Sequence, residues 1–144
     1  NNMKERNYFE IFKEALEERN LTIKDLEENN VLKKDTFYNF STYCPSLINA
    51  IKIANFLKLS LDYILGNVDT NVFKPYKEVQ NNFHSIYRKI LKAYNVSNYR
   101  ISKEINIAEN NVTKWKNGAT PKFSTIIAIA DYLGCGIDDL LEHE

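Results

Sequence analysis

Apolar residues recur three or four positions apart along most of this chain, a spacing typical of amphipathic helices. The clearest stretch is 96–121, VSNYRISKEINIAENNVTKWKNGATP, where the pattern predicts two short helices joined by a tight turn. We expect Ser97 to cap the first helix, Asn106 to lie in the turn and Gly118 to end the second helix. The residues predicted to point inward around this turn are Ile101, Ile105 and Ile107.

The second of these helices, from about residue 108, has two unlike sides. At 100° per residue, its inner side carries Ala108, Val112 and Trp115, and its outer side carries Asn110, Thr113, Lys114 and Asn117. Amide, hydroxyl and ammonium groups can bond base edges and phosphates, so the outer side is typical of a helix that lies in a DNA major groove.

Helical periodicity also accounts for the amino-terminal part of the chain. It predicts a first helix that ends at Asn20, a second over 23–29 behind the capping pair Thr22 and Asp25, and a third over 33–40. A fourth helix starts at Pro45, and a short fifth helix follows Ser60. We therefore expect five helices before Gly66, with Phe37 and Phe40 on the inner side of the third.

The whole pattern then repeats. Residues 67–79 have no clear period and contain Pro75, which indicates a linker. Beyond it the chain resembles its own beginning at an offset of 75 residues, as in Ile11 and Ile86, and later of 76, as in Leu57 and Leu133. The sequence thus predicts an all-α chain with two tandem five-helix units, at 1–66 and 80–144.

Each unit resembles the lambda-repressor-like, Cro-type helix-turn-helix family of DNA-binding regulators. The second is the more similar, through SNYRISKEINIAENNVTKWKNGATPKFSTIIAIADYLGCGIDDLL, which has both short helices, the Asn-Gly that ends the second, and the later Pro and Leu-Gly. The resemblance implies a phosphate contact at Asn98, where the family usually has Gln, and base reading by the outer face of the third helix. The DNA-binding residues expected in this unit are Asn98, Tyr99, Asn110, Asn111, Thr113, Lys114, Lys116 and Asn117.

The first unit departs further from the family pattern. Ile23 replaces the polar phosphate contact, Glu27 replaces a small residue between the helices, and Asp35 stands where the second unit has Asn110. An exposed acid there would repel phosphates unless it accepts from a cytosine amino group. The residues that could still contact DNA are Lys24, Lys33, Lys34, Asp35, Tyr38 and Asn39.

The distribution of charged residues along the chain is more informative than the net charge. The 144 residues have a formal net charge of zero, but 76–123 carry nine Lys or Arg against three Glu, a balance of plus six. Residues 1–32 carry five basic and eight acidic residues, a balance of minus three. The positive field therefore surrounds the second unit's outer face, and the first unit is unfavourable for phosphates.

The remaining chemistry is sparse. Cys44 and Cys135 are isolated and indicate reduced thiols, while His84 and His143 are interpreted as solvated surface residues, not metal ligands. No nucleophile motif or glycine-rich phosphate loop indicates an enzyme, a cofactor or a metal. The longest apolar run, 126–130, is too short to cross a membrane, and the amino terminus lacks a signal-peptide core, so we expect a cytoplasmic protein.

Two functions remain open. The first is a sequence-specific, double-stranded DNA-binding regulator of transcription, expected to be a repressor because the chain leaves no room for an activation or ligand domain. The second is a protein-interaction module, an anti-repressor or an assembly partner, that keeps the fold with DNA binding reduced or lost. Zero net charge and the acidic first unit favour the second function, and the acid-free outer face over 110–117 favours DNA. The first unit could also support a homodimer or hold a protein partner.

Overall fold

The computed structural model describes residues 6–144, which form nine α-helices and two short 3-10 helices without a β-strand. The prediction of an all-α fold is therefore confirmed. The helices are α1 (Tyr8–Glu18), α2 (Ile23–Glu28), α3 (Lys34–Tyr38), α4 (Leu47–Leu57), α5 (Leu61–Ile64), α6 (Phe83–Ala93), α7 (Asn98–Glu104), α8 (Glu109–Lys116) and α9 (Phe123–Leu133). The 3-10 helices are Asn39–Ser41 and Ile137–Leu140.

Local sequence signals set most helix ends. The Ser97 hydroxyl accepts a 3.1 Å hydrogen bond from the backbone of Arg100, and Thr22 and Asp25 form the predicted capping box. Asn106 adopts a left-handed conformation with φ of 60°, and Gly118 does so with φ of 95°. These turns and caps confirm the boundaries expected from residue type alone.

Three predictions at the ends of helices were wrong. The fourth helix begins at Leu47 and not at Pro45, because Ser46 is its N-cap and accepts from the Asn49 backbone at 3.1 Å. The third helix does not run unbroken over 33–40, because α3 has only five residues and tightens into the 3-10 helix Asn39–Ser41. Ala108 was expected in the core, yet it is exposed. It is the N-cap of α8, with an extended backbone at ψ of 140°, so the helical rotation of 100° per residue does not apply to it.

The helices form two similar sets: a first half, α1–α5, and a second half, α6–α9 with the 3-10 helix Ile137–Leu140. Corresponding helices of the halves begin 75 residues apart for α1 and α6 and 76 apart for α4 and α9, and all four have 11 residues. Equivalent helix ends share left-handed residues as well: Asn20 matches Asn95, and Lys58 matches Gly134.

Both halves contribute to one continuous hydrophobic core. The Tyr8 ring of α1, for example, lies 6.4 Å from the Phe123 ring of α9. The segment 67–82 between the halves has no helix, but it is bonded to both. Its Tyr76 is fully buried, and the Tyr76 hydroxyl accepts from the Leu61 backbone at 2.8 Å and donates to Asp138 at 2.5 Å.

The carboxyl-terminal residues pair with this connecting segment, so His143 is not the solvated side chain predicted above. Backbone bonds join Lys77 to Glu142 at 3.0 Å and Glu144 to Pro75 at 2.9 Å. They place the half-buried His143 ring 4.9 Å from the Tyr76 ring, with one ring nitrogen 3.1 Å from the Asp138 carbonyl oxygen. The periodicity of the chain contains no signal for this long-range pairing.

Candidate nucleic-acid interface

The α7–α8 pair is joined by a compact turn. The backbone of Ile105 donates to Ile101 at 3.0 Å, and that of Ile107 donates to Ser102 at 2.9 Å. Asn106 between them takes the left-handed conformation that reverses the chain, and Ile107 returns to the core, where it is buried. Hydrogen bonds and a buried apolar residue therefore fix the angle between the two helices.

The orientation of α8 is determined by Trp115, which is only 4 % exposed. Its ring meets the rings of Phe83 and Tyr87 of α6 edge to face, at centroid distances of 4.8 Å and 5.3 Å. Such pairs add to the burial of a large apolar surface. Because Trp115 anchors one side of α8 to α6, the opposite side must face solvent.

That opposite side carries the predicted reading residues. The exposed ones are Asn110, Thr113, Lys114, Lys116 and Asn117. Asn111 is half-buried, because it lies four residues before Trp115 and therefore on the side of α8 that packs inward. From 110 to 117 there is no acidic residue; Glu109 is exposed in the first turn, where a carboxylate interacts favourably with the helix dipole. The surface therefore offers hydrogen-bond donors and acceptors together with two positive charges.

Asn98, the first residue of α7, is exposed but anchored from the core. Its side-chain oxygen accepts from the Tyr87 hydroxyl at 2.5 Å and from the Ser102 hydroxyl at 3.2 Å. Burial raises the pKa of Tyr87, so its phenol stays protonated and remains a donor at neutral pH. With the oxygen of Asn98 occupied, its amide nitrogen is left to donate to another acceptor.

Tyr99 lies beside Asn98 and is 71 % exposed, more than any other large apolar side chain in residues 6–144. The Lys103 ammonium lies 5.1 Å from the centre of its ring, within the range of a cation–π contact. This pair places an aromatic face and a positive charge together on the outer surface of α7.

Sequence reasoning missed that Arg88 of α6 and Lys116 of α8 lie near His84, which is half-buried and not the solvated side chain predicted above. The pKa of His84 is lowered, first by burial and then by the positive charges of Arg88 and Lys116, so its imidazole is neutral at neutral pH. The packing of Trp115 on α6 brings Lys116 to this position. The spacing of His84 and Arg88, four residues apart in an amphipathic helix, is the sequence signal that could have revealed part of this cluster.

The corresponding surface of the first half is more acidic. Its candidates Lys33, Lys34, Asp35 and Asn39 are exposed, and Tyr38 is 52 % exposed and stacks on Phe9 at 5.5 Å. Lys24 pairs with Glu28 at 3.6 Å, and Glu27 accepts from the Lys34 backbone at 3.1 Å. Glu27 thus stabilises the start of α3 where a small residue was expected.

Residues 6–144 contain no group of His, Cys, Asp and Glu arranged to hold a metal ion, and Cys44 and Cys135 are free. Among these residues, no helix is both long and apolar enough to cross a membrane.

Comparison with known families bears directly on the α7–α8 pair. Residues 88–144 match the Cro/C1-type HTH DNA-binding domain. The match includes α7, α8 and most of α6, and it supports a DNA-binding transcription regulator. It does not extend to the first half. Comparison with curated proteins and with solved structures gave no match.

Proposed function

We propose that this protein is a sequence-specific regulator of transcription that binds double-stranded DNA with its second half and acts as a repressor. The observation that carries the proposal is the outward face of α8, which is free of acids over 110–117 and held in a fixed orientation by Trp115. The family match of residues 88–144 supports the same assignment.

Within this proposal the exposed residues divide into two roles. Asn110 and Thr113, with the half-buried Asn111 beside them, have amide or hydroxyl groups that bond base edges in the major groove, with Asn pairing best to adenine. Lys114, Lys116 and Asn117 contact bases or phosphates at the flank of the helix, and Asn98 and Tyr99 contact the backbone from α7. Repression is the simplest outcome, because a bound protein excludes others from the same DNA.

The second candidate function is a protein-interaction module. The exposed Tyr38 and Tyr43 of the first half favour it, at 52 % and 69 % exposure, since tyrosines are enriched at protein interfaces. The exposed carboxylates of Glu27, Glu28 and Asp35 in α2 and α3 oppose a close approach of DNA to these helices. In this function the first half holds a protein partner or a second copy of the chain.

A titration of the protein with a random-sequence duplex library at several salt concentrations tests the proposal. Each phosphate that is neutralised releases counterions, so the logarithm of the affinity should fall linearly with the logarithm of salt concentration, by about 0.9 per contact. Sequential rounds of selection should then enrich one sequence. A flat salt response, with no enrichment, would show that the chain does not recognise DNA and would favour the interaction module.

A further inference from the structure

Two equivalent positions, Asn55 of α4 and Asp131 of α9, each contact the segment that precedes the first helix of the other half. The segment before α1 meets α9, where the Arg6 guanidinium lies 3.9 Å from the Asp131 carboxylate. The segment before α6 meets α4, where Asn55 exchanges two hydrogen bonds of 2.9 Å with the backbone of Tyr76. Asn55 and Asp131 are equivalent, 76 residues apart.

The last helices of the halves contact each other reciprocally. The Asp62 carboxylate accepts from the backbone of Ile137 at 3.0 Å and of Asp138 at 3.1 Å. In the other direction, the Asp138 carboxylate is linked to the backbone of Leu61 through the Tyr76 hydroxyl. A side chain added at Gly136 would lie 2.9 Å from an oxygen of Asp62, so glycine permits this close approach.

The starts of α4 and α9 also lie together, since residues 44–48 and 120–124 line one shallow pocket. In a two-fold symmetric dimer, each contact between two residues occurs twice, with the roles of the two subunits exchanged. The contacts between the halves follow this pattern. The halves are therefore related by an approximate two-fold axis, and α3 and α8 occupy equivalent positions around it.

We propose that the first half takes the place of a second subunit, so that one chain alone binds a non-palindromic DNA site, reading one half-site with α8 and touching the neighbouring turn through phosphates only. This rests on the proposed function. Helix-turn-helix dimers bind half-sites about 34 to 36 Å apart, and the symmetry of the site mirrors that of the protein. Because the two halves of this protein differ, the DNA site that they bind should lack two-fold symmetry.

The residues of α3 explain why its side of the site is touched but not read. Exposed Lys33 and Lys34 at its start supply the positive charge for phosphates, whereas Asp35 stands at the position of Asn110. α3 is also shorter than α8, with five residues against eight, and so presents fewer side chains to a groove. The face of the second half that packs on the first is unavailable for pairing with another chain.

The test selects duplexes from a random library with the whole chain, then measures the mass of the complex by light scattering and the protected length by footprinting. We expect one chain per duplex, an enriched sequence without dyad symmetry, and protection that extends about one helical turn beyond it on one side only. Two chains per duplex, or a palindromic sequence, would overturn the inference while leaving the proposed function intact. If no duplex is retained, the proposed function is wrong and this inference falls with it.

A variant pair separates reading from phosphate contact. Lys33→Ala with Lys34→Ala should leave the enriched sequence unchanged, weaken selected and scrambled duplexes by the same factor, and lower the salt slope by about two. The matched pair Lys58→Ala with Lys74→Ala removes two exposed lysines that follow α4 and should leave the slope unchanged. An unchanged slope in the first pair, or a changed sequence preference, would overturn the assignment of phosphate contacts to α3.

Discussion

The two halves differ least in their cores and most on the outer face of their third helices. Phe40 and Trp115 stand 75 residues apart, and both are 4 % exposed. On the outer face, by contrast, Asp35 of α3 occupies the position equivalent to Asn110 of α8, and α8 is three residues longer than α3. Packing restricts the inner positions of both halves, whereas the outer positions are restricted only by what binds there. Divergence of the outer face alone therefore indicates that the halves have different tasks.

Substitution of the equivalent buried aromatic residues Trp115 and Phe40 should have the largest effect, a loss of stability. Trp115→Ala should lower the free energy of unfolding by about 3 to 5 kcal/mol, because it removes a buried ring that packs on Phe83 and Tyr87. Phe40→Ala, at the equivalent position, should cost about the same, and both variants should unfold in a single transition if the core is shared. Urea denaturation measures this; Tyr43→Ala, at an exposed position, is the control. A Trp115 variant as stable as the parent would contradict the observed burial.

The next effect separates the outer faces. Asn110→Ala with Lys114→Ala should abolish sequence-specific binding, since each lost base contact is worth about 1 to 3 kcal/mol. Lys34→Ala with Asn39→Ala, which changes two exposed residues of α3 and of the 3-10 helix that follows it, should weaken binding slightly and equally for all sequences. Competition titrations with selected and scrambled duplexes measure both pairs. Equal loss of specificity in the two folded variants would mean that both halves read DNA.

A smaller effect is expected from the group behind Asn98. Tyr87→Phe keeps the ring that packs on Trp115 but removes the hydroxyl that holds the Asn98 oxygen at 2.5 Å. DNA affinity should fall by about 1 kcal/mol, the usual contribution of one hydrogen bond. In the Asn98→Ala background the same change should have no further effect, which a double-mutant cycle on DNA binding can show. Tyr43→Phe is the matched control, and an additive cycle would contradict the coupling.

The smallest effect is on the pH dependence of stability and concerns Asp138, the residue equivalent to Asp62. Burial raises the pKa of Asp138 above its usual value, although the Tyr76 hydroxyl acts in the opposite direction. A carboxyl group with a higher pKa in the folded chain binds its proton more tightly there, so its contribution to stability falls as pH rises through that range. Asp138→Asn should therefore gain about 1 to 3 °C in Tm relative to the parent between pH 4 and pH 7. Thermal melts across this range measure the difference, and a gain at low pH instead would contradict the sign.

Sequence alone could predict those features that depend on neighbouring residues. The Ser97 cap, the Asn106 turn and the burial of Trp115 all follow from residue type and helical spacing within one turn or two. The errors lie at the ends of elements: Ala108 precedes α8, and α3 tightens after Tyr38. In both places the departure from regular helix spans one or two residues, too few for a periodic pattern to register.

Contacts between distant residues could not be predicted in this way. Tyr87 and Asn98 belong to different helices, and Asp62 and Ile137 are 75 residues apart, so helical spacing carries no information about either pair. The basic cluster of His84, Arg88 and Lys116 also depends on how α8 packs on α6. The exposure of the candidate residues was therefore within reach of sequence reasoning, whereas the groups that anchor them were not.

The cap that Asp62 supplies to the 3-10 helix Ile137–Leu140 makes the second half depend on the first for two of its hydrogen bonds. In the first half, Ser60 caps α5 from its own sequence at 3.0 Å, but the second half has Gly136 at that position and borrows a carboxylate from the other half. A transplanted fragment 67–144 would leave two backbone N–H groups of its last helix without these acceptors. The whole chain, and not the second half alone, is therefore the unit that keeps both of these hydrogen bonds when it is fused to another protein.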